Sequence, residues 1–341
     1  MREALLYRQE GGGQVVCALC AHRCRIAEGK AGRCGVRVNR AGRLYSLADD
    51  RVVSAQIDPI EKKPLFHFLP GSRSLSIATV GCNFHCLNCQ NHAISQWPRE
   101  HPGEALPGQS LSPRQIVSLA QAQGCASISY TYTEPTVYFE LALEVARLAR
   151  QGGIANLFVT NGYMTAQALE EIHPYLDAAN VDLKGFDDRR YRQLCGGSLQ
   201  PVLDSIRRMR ELGVWVEVTT LVIPGHNDSP EELREIARFL NGVGAEVPWH
   251  LSAFYPTYRL TDRPRTPVEN LHQARRIGRD EGLRYVYVGN VPGDAGEDTY
   301  CYRCDTRLID RWGFHIQQNL LQKGTCPTCE AKIDGVFYRD L

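Results

Sequence analysis

The chain has 341 residues, 43% of them hydrophobic, and a formal net charge of +1. That composition suits a folded globular protein with a sizeable core, built as one large α/β domain or a few smaller units. The near-neutral balance, mostly arginines scattered among acids, leaves no electrostatic footprint for nucleic acid. No run of about 18 apolar residues exists to span a bilayer, and Met1-Arg-Glu-Ala-Leu-Leu-Tyr-Arg8 is too short and too charged for a signal peptide. A cytoplasmic protein is therefore expected. Thiols stay reduced in that compartment, so 13 cysteines, mostly in C-x2-C or C-x3-C pairs, point to metal and away from disulfides.

The first cysteine set, Cys17, Cys20, Cys24 and Cys34, follows a turn at Gly11–Gly13. Four ligands from one looped segment suit zinc or a second iron-sulfur cluster, and spacing does not choose. Zinc is favoured because nothing in the sequence demands another electron carrier. Arg23, Arg25, Lys30 and Arg33 would offset part of the thiolate charge, and His22 reads as a neighbour of the site, not a ligand. In the connector that follows, Lys62-Lys63 reads as a solvated loop or an anchor for a partner or anionic substrate.

From Leu75 onward, short β-rich runs alternate with amphipathic helical stretches, the pattern of βα units on a parallel sheet. The predicted strands are Leu75 to Val80, Ser127 to Thr131, Asn156 to Thr160, Asn180 to Leu183, Trp215 to Ile223, His250 to Phe254 and Tyr285 to Val288. Ser112-Pro113 and Ser229-Pro230-Glu-Glu open two helices by N-cap and first-turn logic, and Val268 to Glu281 supplies the last crossover. Such a chain makes a partial or nearly closed (β/α) TIM-like barrel, whose sites gather at C-terminal strand ends. Cys82, Thr133-Glu134, Thr160-Asn161, Asp182-Leu-Lys184, Pro224 to Asp228, Phe254-Tyr255 and Gly289-Asn290 all fall there.

Directly after the first predicted strand, Cys82, Cys86 and Cys89 lie in Thr79-Val-Gly-Cys-Asn-Phe-His-Cys-Leu-Asn-Cys-Gln-Asn91. Three thiolates on one loop can hold three irons of a [4Fe-4S] cube and leave the fourth iron without a protein ligand. An open iron can bind substrate, as the open position of a catalytic zinc does. The alternative, a zinc knuckle or buried structural thiols, lacks an obvious fourth ligand nearby. At the far end, Cys301-x2-Cys304 and Cys326-Pro-x-Cys329 match the two knuckles of a zinc ribbon, with rubredoxin-like iron or an auxiliary cluster as other options. Cys125 and Cys195 read as incidental buried thiols. Three modules result: a cysteine-rich module and connector at 1–70, a barrel at 71–298 and a zinc-ribbon-like module at 299–341.

The C-x3-C-x2-C loop resembles the signature of the radical S-adenosylmethionine (SAM) enzymes. The whole chain is similar to the radical SAM member of the AmmeMemoRadiSam system, a relative of the pyruvate formate-lyase activating enzymes. That similarity runs through Cys17 to Gly35, Asp58 to Gly71, Cys82 to Asn91, Tyr130 to Pro135, Thr261-Asp-Arg-Pro264 and Tyr287 to Gly293. The resemblance implies a [4Fe-4S] cluster on Cys82, Cys86 and Cys89, and SAM on the open iron. It further implies reductive cleavage to a 5'-deoxyadenosyl radical that abstracts hydrogen, and an electron donor such as flavodoxin or ferredoxin. It implies Memo-like and AMMECR-like partners and no known substrate.

Activating enzymes of this kind carry Gly-Gly-Glu-Pro after the second strand, in contact with the SAM amino group. The matching run is Tyr132-Thr133-Glu134-Pro135, where larger residues replace the glycines that permit close backbone approach. Thr160-Asn161-Gly162 and Asp182-Leu183-Lys184 resemble segments near the SAM carboxylate, which Lys184 could pair as a point charge. A solvated lysine and an Asp182 N-cap are the plainer alternatives. The residue before the third cysteine is commonly aromatic and packs near adenine. Here it is Asn88, so adenine must use others such as Phe84 or Val288 to Val291, which include Asn290. Tyr130 and Tyr132 are the expected substrate-side aromatics, ahead of His67, His92, His226, His250 and Tyr255. Three function classes remain open: a radical SAM oxidoreductase or modifying enzyme, an activase installing a glycyl radical on a partner, and a metal-dependent RNA binder or modifier. Near-zero charge lowers the third.

Overall fold

The computed structural model describes residues 1–338, and in it the seven predicted strands lie parallel in one sheet. We number them β1 (Arg73–Thr79), β2 (Ser127–Tyr130), β3 (Ala155–Thr160), β4 (Ala178–Asp182), β5 (Trp215–Val222), β6 (Trp249–Ala253) and β7 (Val286–Gly289). Each pairs with the next in chain order. The crossovers are helices α1 (Pro113–Ala122), α2 (Phe139–Gln151), α3 (Ala166–Ile172), α4 (Gln200–Glu211), α5 (Pro230–Val243) and α6 (Val268–Asp280). Ser112 caps α1 in a capping box with Gln115, and the Ser229 hydroxyl accepts from the Glu232 amide at the start of α5.

One face of the sheet is apolar and covered by the helices: Ile77, Ile128, Val181, Val218 and Leu251 join one buried cluster with the helix side chains. The other face carries polar groups that satisfy one another. Ser74 Oγ meets Ser129 Oγ at 2.6 Å, and Thr219 Oγ1 donates to Asn180 Oδ1 at 2.9 Å. The sheet does not close. An antiparallel strand, Arg51–Pro59, pairs with β1 on the side away from β2, and the short strand Gln109–Ser110 forms the edge beyond it.

The N-terminal residues form two small antiparallel sheets whose Val15, Leu19, Ile26, Val36 and Leu44 enter the same core as the barrel helices. A buried ion pair fixes that junction. Arg37 and Glu140 approach to 2.9 Å with side chains 2% and 1% exposed; the Leu5 amide donates to Glu140 and the Leu5 carbonyl accepts from Arg37 Nη2. The C-terminal strands Thr299–Tyr300, Arg307–Trp312 and His315–Asn319 build a second cluster with Phe66, Tyr285 and Tyr287. Buried Arg311 donates to the carbonyls of Phe66 and Glu297 and lies 4.2 Å over the Phe66 ring. Segment 60–70 is thereby held between the C-terminal strands and the polar face of the sheet.

His67 and His250, expected near substrate, belong to this buried junction instead. Glu217 accepts from His250 Nε2 at 2.7 Å and from the amides of Phe66 and His67. Burial pushes His67 down to about 4, so it is neutral at physiological pH. Among the described residues no helix is long and apolar enough to cross a membrane.

Glu140→Ala would leave Arg37 buried and unpaired, and such losses cost about 3–5 kcal/mol. Loss of the exposed Arg2–Glu144 pair through Glu144→Ala should change stability by about 1 kcal/mol or less. Urea unfolding of both variants measures the contrast.

Candidate active site at the strand ends

Cys82, Cys86 and Cys89 occupy the loop that leaves the C-terminal end of β1. Gly81 lets that loop pass close to the N-terminal segment: its φ is +99°, and a Cβ there would lie 2.9 Å from Val36 Cγ1 and 3.0 Å from the Cys34 carbonyl oxygen. On its other side the loop pairs with the end of a short helix, Asp188–Cys195, through His85 N to the Cys195 carbonyl (3.0 Å) and Leu87 N to the Leu194 carbonyl (2.9 Å). Gly196 and Gly197 make this approach feasible. A Cβ on either would stand 2.0 Å from the His85 ring or 2.2 Å from the Phe84 ring. Arg99 closes the third side by donating to the carbonyls of Cys82 and Phe84.

Two of the three sulfurs have a hydrogen-bonding partner: the Phe84 amide donates to Cys82 Sγ (3.4 Å), and Ser95 Oγ lies 3.2 Å from Cys89 Sγ. The neighbouring Cys195 side chain lowers the Cys86 thiol below its usual range despite burial, whereas burial, aided by the Glu134 carboxylate, pushes Cys82 well up. Donors aimed at thiolate sulfurs suit an iron-sulfur cluster, whose potential they help set. Cys195 is buried beside the loop, and its thiol donates to the Tyr191 carbonyl at 3.0 Å.

The other expected residues divide into two groups. Glu134 is fully buried and spent on internal bonds: it accepts from Thr136, from Thr160 Oγ1 at 2.7 Å and from the Asn161 amide at 2.8 Å. Burial raises its pKa. Thr133 Oγ1 donates to the Thr79 carbonyl, and Asn161 Nδ2 donates to Asn83 Oδ1 at 2.7 Å, 4.0 Å from Cys82 Sγ. These four lock the ends of β1, β2 and β3 around Cys82. Asp182 and Lys184, paired at 2.9 Å, stay partly exposed beside Cys86. Burial opposes the Lys184 charge, but Asp182 and the Cys86 sulfur hold its pKa well above the usual lysine value. Asn290 sits at the far edge of the parallel strands, donating to the Ala253 carbonyl and accepting from Tyr255.

Tyr132 has φ +62°, the left-handed conformation that a glycine adopts without cost. Its hydroxyl donates to Asp58, which also binds Lys62 at 2.8 Å and Lys63 at 2.6 Å. Burial pushes Lys63 down to about 8. Tyr130 does not line a cavity with it. It is fully buried on the helix side, with its hydroxyl on Asn156 Oδ1 and its ring edge-on to Phe158. Phe84 and Val288, expected beside adenine, are likewise fully buried.

Of the outer cysteine sets, the C-terminal one is convergent. Cys301, Cys304, Cys326 and Cys329 place their sulfurs within 4.8 Å of one another. Two of the S···S distances are 3.6 and 3.7 Å, against about 3.8 Å for a tetrahedral centre with metal-sulfur bonds of about 2.3 Å. The residues present fit one tetrahedral metal ion.

A parallel α/β sheet with three cysteines on the loop after its first strand defines a class. Residues 76–240 match the Radical SAM superfamily, so the chain carries a domain of that superfamily. Over 340 residues it is 45% identical to a Methanocaldococcus jannaschii protein described as uncharacterized, spanning 99% of this chain and 100% of that one. The pyruvate formate-lyase-activating enzyme of Clostridium pasteurianum is 22% identical over 174 residues, 51% of this chain and 71% of that one. A radical SAM methyltransferase from Sphaerobacter thermophilus shares the fold, with a TM-score of 0.51 at 18% identity over 67% of this chain and 71% of that one.

Removing a donor from a cluster sulfur lowers the reduction potential. Ser95 Oγ lies 3.2 Å from Cys89 Sγ, so Ser95→Ala should shift a cluster bound at this loop to lower potential, and Ser95→Thr should restore part of the difference, as read by a redox titration monitored by electron paramagnetic resonance (EPR).

Proposed function

We propose that this chain is a radical SAM oxidoreductase or modifying enzyme that binds a [4Fe-4S] cluster through Cys82, Cys86 and Cys89. The observation that carries the reading is one loop presenting three thiols at a strand end, two of them with hydrogen-bonding partners. A cluster bound there would supply one electron to cleave SAM into methionine and a 5'-deoxyadenosyl radical, which takes hydrogen from substrate.

The protein's own groups have separable jobs. Glu134, Thr133, Thr160 and Asn161 hold the strand ends and the cysteine loop in register, which fixes where SAM would lie relative to Cys82. Lys184, kept charged by Asp182, would pair with the SAM carboxylate. Asn290 would form part of the rim facing adenine or substrate. Tyr132, Asp58, Lys62 and Lys63 together offer a phenol, a carboxylate and two ammonium groups close to the SAM segment. The Cys301 quartet would hold zinc and act structurally, folding a tail with little core of its own.

The similarity to an activating enzyme supports a second reading, in which the hydrogen comes from a glycine of a partner enzyme. The two readings differ in product: a modified small molecule or partner-bound substrate in the first, a protein glycyl radical in the second. Memo-like and AMMECR-like partners, a flavodoxin or ferredoxin as electron donor and a cytoplasmic location complete the proposal.

Anaerobic reconstitution with iron and sulfide, reduction in the presence of SAM, and mass spectrometry for 5'-deoxyadenosine and methionine test it. Wild type should form both and Cys86→Ala neither. Intact SAM over a protein that holds zinc and no cluster at this loop would overturn the reading.

A further inference from the structure

The N-terminal thiols are not gathered as tightly as the C-terminal quartet. Among the described residues, the C-terminal quartet is the one set of three or more metal-ligating side chains whose donor atoms all lie within 4.8 Å of one another. Cys17, Cys20, Cys24 and Cys34 are more open, as are Cys82, Cys86 and Cys89. Thiolates around a single ion must crowd to about 3.8 Å. Thiolates on separate irons of a cube stand farther apart, because each binds a different corner.

The four sulfur-bearing residues instead line one cavity, together with Arg37 and Asn83, with about 330 Å³ of atom-free space, mouth included. Two donors on these walls lack acceptors: Arg37 Nε and Asn83 Nδ2, on residues 2% and 1% exposed. A buried N–H left unpaired costs about 1–3 kcal/mol. Cluster sulfides and ligating sulfurs are acceptors of the kind such donors need. Arg37 also brings positive charge to a centre of four thiolates.

The cavity adjoins the radical-site loop. Asn83 follows Cys82 in sequence, and its Oδ1 lies 3.8 Å from the Cys82 sulfur. His22 Nε2 is 2.9 Å from the Asn83 carbonyl, the Cys34 carbonyl abuts Gly81, and Arg99 donates to the carbonyls of both Arg33 and Cys82. On the outer side Arg23, Arg25, Lys30 and Arg33 are exposed.

We propose that Cys17, Cys20, Cys24 and Cys34 ligate a second [4Fe-4S] cluster, closed to SAM, that relays single electrons to the cluster on Cys82, Cys86 and Cys89. The relay role rests on the radical SAM reading of that second loop; the site itself does not. An acidic, low-potential one-electron carrier gives up an electron at the basic face. The N-terminal cluster gains it and then loses it to its neighbour, and no bond forms or breaks.

The test uses the full chain carrying Cys82→Ala, Cys86→Ala and Cys89→Ala together, reconstituted anaerobically with iron and sulfide. About four irons and four sulfides per chain should remain, with an EPR signal on reduction. Should that variant fold poorly, Cys20→Ser with Cys24→Ser in the otherwise native chain should lose about half the iron and sulfide and keep the SAM-responsive signal. Sulfide-free protein with two zinc ions per chain, or unchanged iron in the double variant, would overturn the proposal. A cube in the triple variant beside a native chain that never cleaves SAM would support the site and reject the relay.

Discussion

Arg99 ties three separate segments together through one guanidinium. Its donors reach the carbonyls of Cys82 and Phe84 in the cysteine loop and of Arg33 beside the last N-terminal cysteine. A loop without a strand or helix ladder must find partners for its backbone groups elsewhere. Charged donors supply them at about 1.5–3 kcal/mol per bond. Arg99 works with the Leu194 and Cys195 carbonyls and the clearance at Gly196 and Gly197 to set the loop's path. The position of the three thiols is thus a property of four chain regions.

The opposite side of the molecule depends on a different buried network. Glu217 collects donors from His250, Trp215 and the backbone of 66–67, and Arg311 brings the C-terminal strands onto the Phe66 carbonyl. Segment 60–70 runs from this network to Lys62 and Lys63, whose ammonium groups meet Asp58 and Tyr132 beside the SAM segment. The C-terminal strands and the candidate substrate side therefore share one connecting segment. Charges this deeply buried require their full set of partners, which makes the connection specific in geometry.

The parallel strands were legible because each is a short apolar, β-rich run bounded by turn residues, and the cysteine loop was legible because it follows the first of them directly. Arg51–Pro59 was not. It is half exposed and pairs antiparallel to β1, so its residues read as a connector. Tyr130 and Tyr132 share a face on an ideal strand, yet β2 ends at Tyr130 and the left-handed turn at Tyr132 sends the two side chains apart. The Leu194 and Cys195 carbonyls meet the cysteine loop only because a helix distant in sequence folds against it. Cysteine spacing likewise carries no information on how far apart the sulfurs stand, which is why the sequence does not separate zinc from a cluster at Cys17 to Cys34.

The central claim is an iron at Cys82, Cys86 and Cys89 that is open to SAM. EPR of the reduced, reconstituted protein with and without SAM tests it most directly. One cluster signal should change its g-values when SAM is added, and that signal should be missing from Cys86→Ala. A spectrum indifferent to SAM, or a SAM-sensitive signal that survives Cys86→Ala, would contradict the account.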